Sequence, residues 1–431
     1  MAFRPSSSRL FRSARALDHT FHLLFLGRWL LICAVVGALV GTASAGFLRA
    51  LDWVTAWREA HAWVIWLLPV GGFVVGASYH YLGQGVGRGN NLLIDEILNP
   101  RQPVPLRMAP LVLFGTLATH LVGGSAGREG TAVQMGGTLA DQLTHLFGLR
   151  PRDRKILLIA GISAGFAAVF GTPLAGAVFG LEVFLLGAIR YDALVPSFLA
   201  AVCADLVTRA WGVGHTHYPQ LEVPAITPGT LLLAVGCGIL FGLTARGFAA
   251  LTHLITRWFQ RISYPPLRPV VGGALVALAV AALGTTKYIG LGIPTIVAAF
   301  QAPLPPADFL LKLGLTALTL GCGFKGGEVT PLFFIGAALG SALAPVLPLP
   351  VALLAAMGFV AVFAGAANTP LACLLLGMEL FGAAAGVYLA LACVAAYLFS
   401  GHTGIYSAQV IGQAKHPRFG REQGRQLGSG Q

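Results

Sequence analysis

Between residues 23 and 400 the chain is apolar almost throughout, yet its apolar stretches do not come in the lengths of plain membrane spans. They fall at about 23–56, 61–82, 105–125, 132–147, 156–186, 193–212, 229–260, 267–286, 308–324, 331–347, 351–367 and 370–400. A helix needs ~20 residues to cross the hydrocarbon core. Several stretches are shorter than that, and others are much longer and interrupted, at Gly171-Thr172-Pro173, Gly326-Gly327, Thr330-Pro331 and Thr369-Pro370. Irregular backbone is tolerated at membrane depth only where protein covers its freed N–H and C=O groups. The pattern therefore predicts an all-α polytopic membrane protein with broken and tilted helices. The shortage of charge is global: 10% of residues are charged, against ~25% in a soluble domain, which excludes a soluble domain with a single anchor. The 56 glycines fit close helix contacts in lipid.

The net charge of +12 comes from residues outside the apolar stretches. Arg4, Arg9, Arg12 and Arg15 precede the first stretch, Arg150, Arg152, Arg154 and Lys155 form the GLRPRDRK loop, and Lys415, Arg418, Arg421 and Arg425 follow the last. The positive-inside rule puts all three groups in the cytoplasm. No basic-aromatic stripe accompanies them, so nucleic acid is not an expected partner. The expected organisation is a basic N-terminal tail (1–22), a membrane domain (23–410) and a basic C-terminal tail (411–431). The basic start runs into an apolar stretch with no clear cleavage site, and reads as a first membrane helix rather than a signal peptide. The six cysteines form no CxxC pair and read as small apolar packing residues.

The membrane domain carries an internal repeat. At an offset of 197, Thr172-Pro173-Leu174-Ala175 falls on Thr369-Pro370-Leu371-Ala372, Gly180 on Gly377, Glu182 on Glu379 and Phe184 on Phe381. At an offset of 200, Gly127 falls on Gly327, Thr131 on Pro331, Met135-Gly136 on Ile335-Gly336 and Leu139 on Leu339. Two matches in the same order and nearly the same spacing indicate repeats of about 27–212 and 229–410. Paired broken helices in two halves point to a transport site near the membrane midplane.

Charge enters this apolar background at the breaks. In GGSAGREGTAVQMGG (123–137), Gly123, Gly124, Gly127 and Gly130 surround Arg128-Glu129 just before an apolar stretch. A helix N-terminus offers free N–H groups and a positive dipole to an anion, and glycine lets those groups approach an ion closely. A carboxylate beside such a site occupies it when ionised and can leave when protonated, which would make Glu129 both gate and proton carrier. Arg128 reads as a structural anchor, or as half of an ion pair in a surface turn. The second-half counterpart GFKGGEVTPLFFIGA (323–337) has Lys325 and Glu328, expected to pair or to position the loop, with Thr330 as N-cap and Pro331 in the first turn. Phe333 and Phe334 are either core or pathway lining with positive ring edges toward an anion. In GQGVGRGNNLLIDEIL (83–98), Asn90-Asn91 either caps a helix and donates amide N–H groups or belongs to a plain connection. Tyr406, after the break in GHTGIYSAQVIG (401–412), either donates its hydroxyl to a buried ion or lies at the interface.

GREGTAVQMGG resembles the signature of CLC chloride channels and transporters, in which a glutamate in GREGP is the gate. Threonine in place of that proline is similar to the fluoride branch, as are GFKGGEVTPLFFIGA and GNNLLIDEI, and the resemblance runs from about Gly83 to Gln409. It implies a CLC-like inverted-repeat fold in a homodimer, each subunit with its own pathway, in the bacterial inner membrane with both termini cytoplasmic. It further implies proton-coupled fluoride export, with Glu129 as gating glutamate and Asn90, Gly127, Gly130, Thr330, Phe333, Phe334 and Tyr406 along the anion path. Arg128, Lys325 and Glu328 would support them. Proton-coupled chloride members often carry an inner glutamate where this chain has Val183, so the inner proton route is left open. No paired cytoplasmic regulatory domains are expected.

The competing readings are a chloride-selective exchanger or channel and, in a different class, an intramembrane protease. Gly123-Gly124-Ser125-Ala126-Gly127 matches GxSxG, with His120 or His145 as conceivable bases, but that pattern carries meaning on a strand-to-helix elbow, which is not expected here. No HExxH occurs and the 11 histidines are scattered, so neither metal nor cofactor is expected. Asp95-Glu96 reads as a helix cap or flank, and Glu182 and Glu379 as residues with equivalent structural duties in the two halves.

Overall fold

The structure, a computed structural model, describes residues 7–430, and the side chains of 23–428. The basic side chains expected at Arg4, Arg9, Arg12 and Arg15 therefore lie outside the described residues. The first apolar stretch belongs to one long helix, α1 (Ser7–Ala60). After it come α2 (Leu68–Tyr81), α3 (Asn90–Leu98), α4 (Met108–Leu121), α5 (Glu129–Leu146), α6 (Pro151–Phe170), α7 (Pro173–Glu182) and α8 (Leu194–Ala210). The second set comprises α9 (Pro228–Gln260), α10 (Leu267–Leu283), α11 (Ile293–Ala299), α12 (Ala307–Gly321), α13 (Val329–Ala342), α14 (Val351–Ala367), α15 (Pro370–Phe381) and α16 (Gly386–Phe399).

The breaks fall where backbone chemistry requires them. α6 ends in left-handed Gly171 (φ +70°), and α7 restarts two residues later on Pro173. At the equivalent place α14 ends in left-handed Asn368 (φ +59°), and α15 starts on Pro370. Proline suits the first turn because its missing N–H has no intrahelical partner to lose. Many of the pieces cannot span a membrane: α13, with 14 residues, is about 21 Å long at 1.5 Å per residue. Among the described residues four stretches are long and apolar enough to cross: Leu23–Ala60, Ala62–Tyr81, Tyr191–Ala210 and Pro228–Gln260.

Small residues let the broken helices nest. α5 packs on α6 with Gly136 against the carbonyl of Gly161, and α13 packs on α14 with Gly336 against the carbonyl of Gly358; a Cβ at either glycine would overlap that oxygen. The two halves also meet in reciprocal contacts. Gly127 and Gly327 form an isolated antiparallel bridge, each N–H donating to the other's carbonyl at 2.6 and 2.8 Å. The Glu182 carboxylate accepts from the N–H groups of Leu371 and Ala372 at the head of α15, and Glu379 accepts from those of Leu174 and Ala175 at the head of α7. Each pair of contacts exchanges under the offset found in the sequence, as a pseudo-two-fold relation demands.

The segment after α16 packs back on the body. Val410–Ile411 (β2) pairs in parallel with Leu185–Leu186 (β1). The buried Gln409 carboxamide donates to the carbonyls of Val183 and Ala367 and accepts from Asn368. These contacts tie the segment just after Tyr406 to the ends of α7 and α14.

Candidate functional site

The Gly127–Gly327 bridge sets the heads of α5 and α13 against each other, and this brings Glu129 to the second half of the chain. Glu129 is the first residue of α5 and is 1% exposed. One carboxylate oxygen, Oε1, accepts from the Thr330 hydroxyl at 2.5 Å; the other accepts from the N–H of Thr330 and the N–H of Arg128, both at 3.1 Å. The Arg128 guanidinium stands 3.7 Å from Oε1, and its buried Nε has no hydrogen-bond partner. Glycine leaves room for the carboxylate at Gly127 and keeps the packing close at Gly130. A Cβ at Gly127 would lie 2.9 Å from Cδ of Pro331 and 3.0 Å from the Glu129 carboxylate, and one at Gly130 would lie 3.2 Å from Cα of Gly327.

Thr330 thus has a different role from the expected N-cap. Glu328 holds the cap position of α13 and makes no side-chain cap bond. Thr330 lies within the first turn, where its N–H has no intrahelical acceptor and is free for Glu129. The cradle draws its donors from both halves of the chain, two from Thr330 and one from Arg128, and is filled by the Glu129 carboxylate. Its three donors are the kinds a small anion uses to replace its water.

Beside the cradle lies a polar cavity of about 150 Å³ lined by Tyr79, Asn90, Gln134, Lys325, Glu328 and Tyr406, among others. Asn90 is the first residue of α3 and makes no cap bond; its Oδ1 is buried without a partner, and its Nδ2 would touch a Cβ at Gly130 at 3.3 Å. Asn91 has a separate duty, accepting from the N–H of Ala408 at 2.9 Å and so tying α3 to the Tyr406 segment. Tyr406 is 3% exposed. Lys325 forms no ion pair with Glu328 among the described residues. Its ammonium lies 4.4 Å from the Tyr79 ring centroid and donates to the Gly87 carbonyl at 3.4 Å.

Phe333 and Phe334 come after Thr330 on α13 but do not line this cavity. Phe333 stacks on Phe359 with centroids 3.8 Å apart and meets Phe170 at 5.4 Å. Phe334 faces Tyr288 and the Lys312 ammonium. Gln134, one turn beyond Glu129, and Tyr79 were missed in the sequence, since nothing near either residue marks its neighbours in space. The Asp95-Glu96 pair splits: Asp95 meets Arg88 at 2.6 Å, whereas Glu96 and Asp141 clamp Arg154, at 3.1 and 2.7 Å. Ser125 hydrogen-bonds to the Tyr288 carbonyl and the Thr316 hydroxyl, while His120 contacts the Gly127 carbonyl, so among the described residues no hydrogen bond joins Ser125 to a histidine. No cluster of His, Cys, Asp or Glu suited to a metal occurs among the described residues.

Comparison with known proteins identifies the family and the fold. Residues 71–401 match the family model described as "Voltage gated chloride channel". A protein of Pseudomonas syringae pv. tomato named "Chloride/fluoride channel protein" is 58% identical over 415 residues, covering 95% of this chain and 91% of that one. An "H(+)/Cl(-) exchange transporter" of Salmonella paratyphi B is 28% identical over 387 residues, with 81% of this chain and 80% of that one covered. A solved structure described as a CLC-type fluoride/proton antiporter superposes with a TM-score of 0.86 at 36% identity, covering 90% of this chain and 98% of that one.

Proposed function

The chain belongs to the voltage gated chloride channel family and is a membrane transport protein rather than an enzyme, and we propose that it exports fluoride in exchange for protons. The observation that carries this reading is the cradle at the head of α13. It presents the Thr330 N–H and hydroxyl from the second half of the chain together with the Arg128 N–H from the first, and the acidic side chain of Glu129 fills it.

Glu129 is the gate in this account. Ionised, it satisfies all three donors and keeps an anion out. Protonated, it loses the charge that holds it there, since hydrogen bonds to a charged group are worth roughly 1.5–3 kcal/mol each against about 1 for neutral ones. Its departure leaves buried donors unsatisfied, and fluoride takes them. The proton moves with the carboxylate and the anion with the vacated cradle, so the two exchange. Asn90 and Tyr406 serve the anion in the adjoining cavity, with Gly127 and Gly130 giving it access to the main chain. Glu328 and Lys325 set the charge at its wall, and Arg128 that of the cradle. Phe333 and Phe334 act behind the cradle by fixing the head of α13.

Fluoride is the favoured anion because it is small and strongly hydrated and so needs dense donors, and because the two similar proteins named for fluoride are the 58% and 36% identical ones. The protein is proposed to work as a homodimer in the bacterial inner membrane, with both termini in the cytoplasm together with Arg150, Arg152, Arg154 and Lys155, which lie at the head of α6 rather than in the expected loop. Purified protein in liposomes tests the reading: a fluoride gradient should drive opposite proton movement, and a chloride gradient should not. Equal movement of chloride would replace it with the chloride-exchanger reading.

A further inference from the structure

Arg28 and Arg58 lie on α1, about 45 Å apart at 1.5 Å per residue. At the Arg58 end, away from the basic head of α6, two cations are buried with too little buried acid to match them. Arg58 is 9% exposed and Lys312 is 0% exposed. The ion-pair partner of Arg58 is Glu59 at 3.1 Å, whose side chain is 64% exposed. Lys312 donates to the carbonyls of Tyr288 and Gly290, at 3.1 and 2.7 Å, and pairs with no carboxylate among the described residues. The buried acid of this region, Asp308, is taken by Lys287 at 2.5 Å and by the Tyr288 hydroxyl at 2.7 Å. Gly290 links the two cations. Its carbonyl faces Lys312, and a Cβ on it would stand 2.5 Å from Nη1 of Arg58.

A cavity of about 550 Å³ opens beside them, walled by Arg58, Lys287, Thr55, Ile65, Gly292 and Thr295, with the exposed carboxylates Asp52 and Glu59 also along it. The Thr55 hydroxyl is buried there without a hydrogen-bond partner. Arg58 is buried while its carboxylate partner Glu59 lies mostly in solvent, so its charge is poorly offset, and the orphaned Thr55 hydroxyl adds to the cost. One bound anion relieves both.

We propose that this cavity is a second anion site, holding a small inorganic anion such as a halide between the Arg58 guanidinium, the Lys287 ammonium and the Thr55 hydroxyl. The site is separate from the cradle but connected to it. The Gly290 N–H donates to the Gly124 carbonyl at 3.0 Å, and the Ser125 hydroxyl donates to the Tyr288 carbonyl at 2.8 Å. An occupant therefore braces residues 123–127, the segment that leads into Glu129. This inference stands on the buried charges and does not depend on fluoride/proton exchange.

A ligand that binds only the folded state raises its stability with concentration, which gives the test. Thermal unfolding of the full-length purified protein is monitored with sodium fluoride, sodium chloride or sodium gluconate at constant ionic strength. Halide should raise the melting temperature of wild type and of Gly27→Ala, whose new Cβ meets no atom within 4 Å. Arg58→Gln and Lys287→Gln should require at least tenfold more halide for the same rise. Should Arg58→Gln fail to fold, Lys287→Gln decides alone, since that side chain is 31% exposed. The proposal is overturned if Arg58→Gln and Lys287→Gln keep the wild-type halide dependence, or if no halide stabilises the wild type. None of these outcomes depends on whether protons and fluoride are exchanged in liposomes.

Discussion

Replacing Glu182 by Gln should destabilise the protein although the side chain keeps its size. In wild type the carboxylate accepts from the N–H of Leu371 at 3.2 Å and of Ala372 at 2.9 Å, and it is 6% exposed. Gln keeps one oxygen and turns an NH₂ toward the other amide, so one hydrogen bond to a charged group is lost and two donors face each other. The lost bond is worth roughly 1.5–3 kcal/mol, and the lost charge at the α15 N-terminus about 0.5–1 kcal/mol more. The expected cost is about 2–4 kcal/mol. Glu379→Gln makes the same change at the head of α7, where the bonds are 3.0 and 2.8 Å but the side chain is only half-buried. Solvent compensates part of the loss there, and about 1–2 kcal/mol is expected. Equilibrium unfolding in mixed micelles by a denaturing detergent would measure both. A Glu182→Gln midpoint equal to wild type, or a larger loss from Glu379→Gln, would refute the reciprocal-capping argument.

Three further substitutions test other parts of the structure. Thr330→Val keeps the side chain's shape and the main-chain donor but removes the hydroxyl from Glu129; fluoride flux in liposomes should fall about tenfold or more, matching the roughly 1.5–3 kcal/mol of that bond, with the melting temperature little changed. Gly336→Ala forces a Cβ onto the Gly358 carbonyl and should abolish a monodisperse peak on size exclusion, whereas Gly27→Ala, with no atom within 4 Å of the new Cβ, should behave as wild type. Arg154→Met leaves Glu96 and Asp141 without their shared cation and should cost about 3–5 kcal/mol in the same detergent unfolding assay.

How much of this was legible in the sequence depended on whether the signal was local or repeated. The breaks at Gly171-Thr172-Pro173 and Thr369-Pro370 could be read because glycine and proline fix backbone geometry by themselves. The offset matches aligned Gly127 with Gly327 and Glu182 with Glu379 before any contact was known, and a pseudo-two-fold relation turned both alignments into contacts. Other features depended on which residue lies opposite. Thr330 read as a cap because Pro331 and an apolar run come directly after it, yet its donors turn to Glu129, 201 positions earlier. Lys325 and Glu328 were left open between pairing and positioning the loop, being close in sequence, and an aromatic face from α2 takes the ammonium. Phe333 and Phe334 were left open between core and pathway, and their rings pack among other aromatics. Arg58 and Lys312 gave no sign of being neighbours, since they come from helices in different halves and meet only around Gly290.

The central claim is that one carboxylate competes with the anion and carries the proton, and Glu129→Gln tests it most directly. Fluoride and proton fluxes would be recorded together from liposomes holding wild type or the variant, with a fluoride gradient as the only driving force. Wild type should move protons against the fluoride flow in a fixed ratio, and the variant should move no protons whether or not fluoride still passes. Proton movement that stays coupled to fluoride in Glu129→Gln would contradict the account.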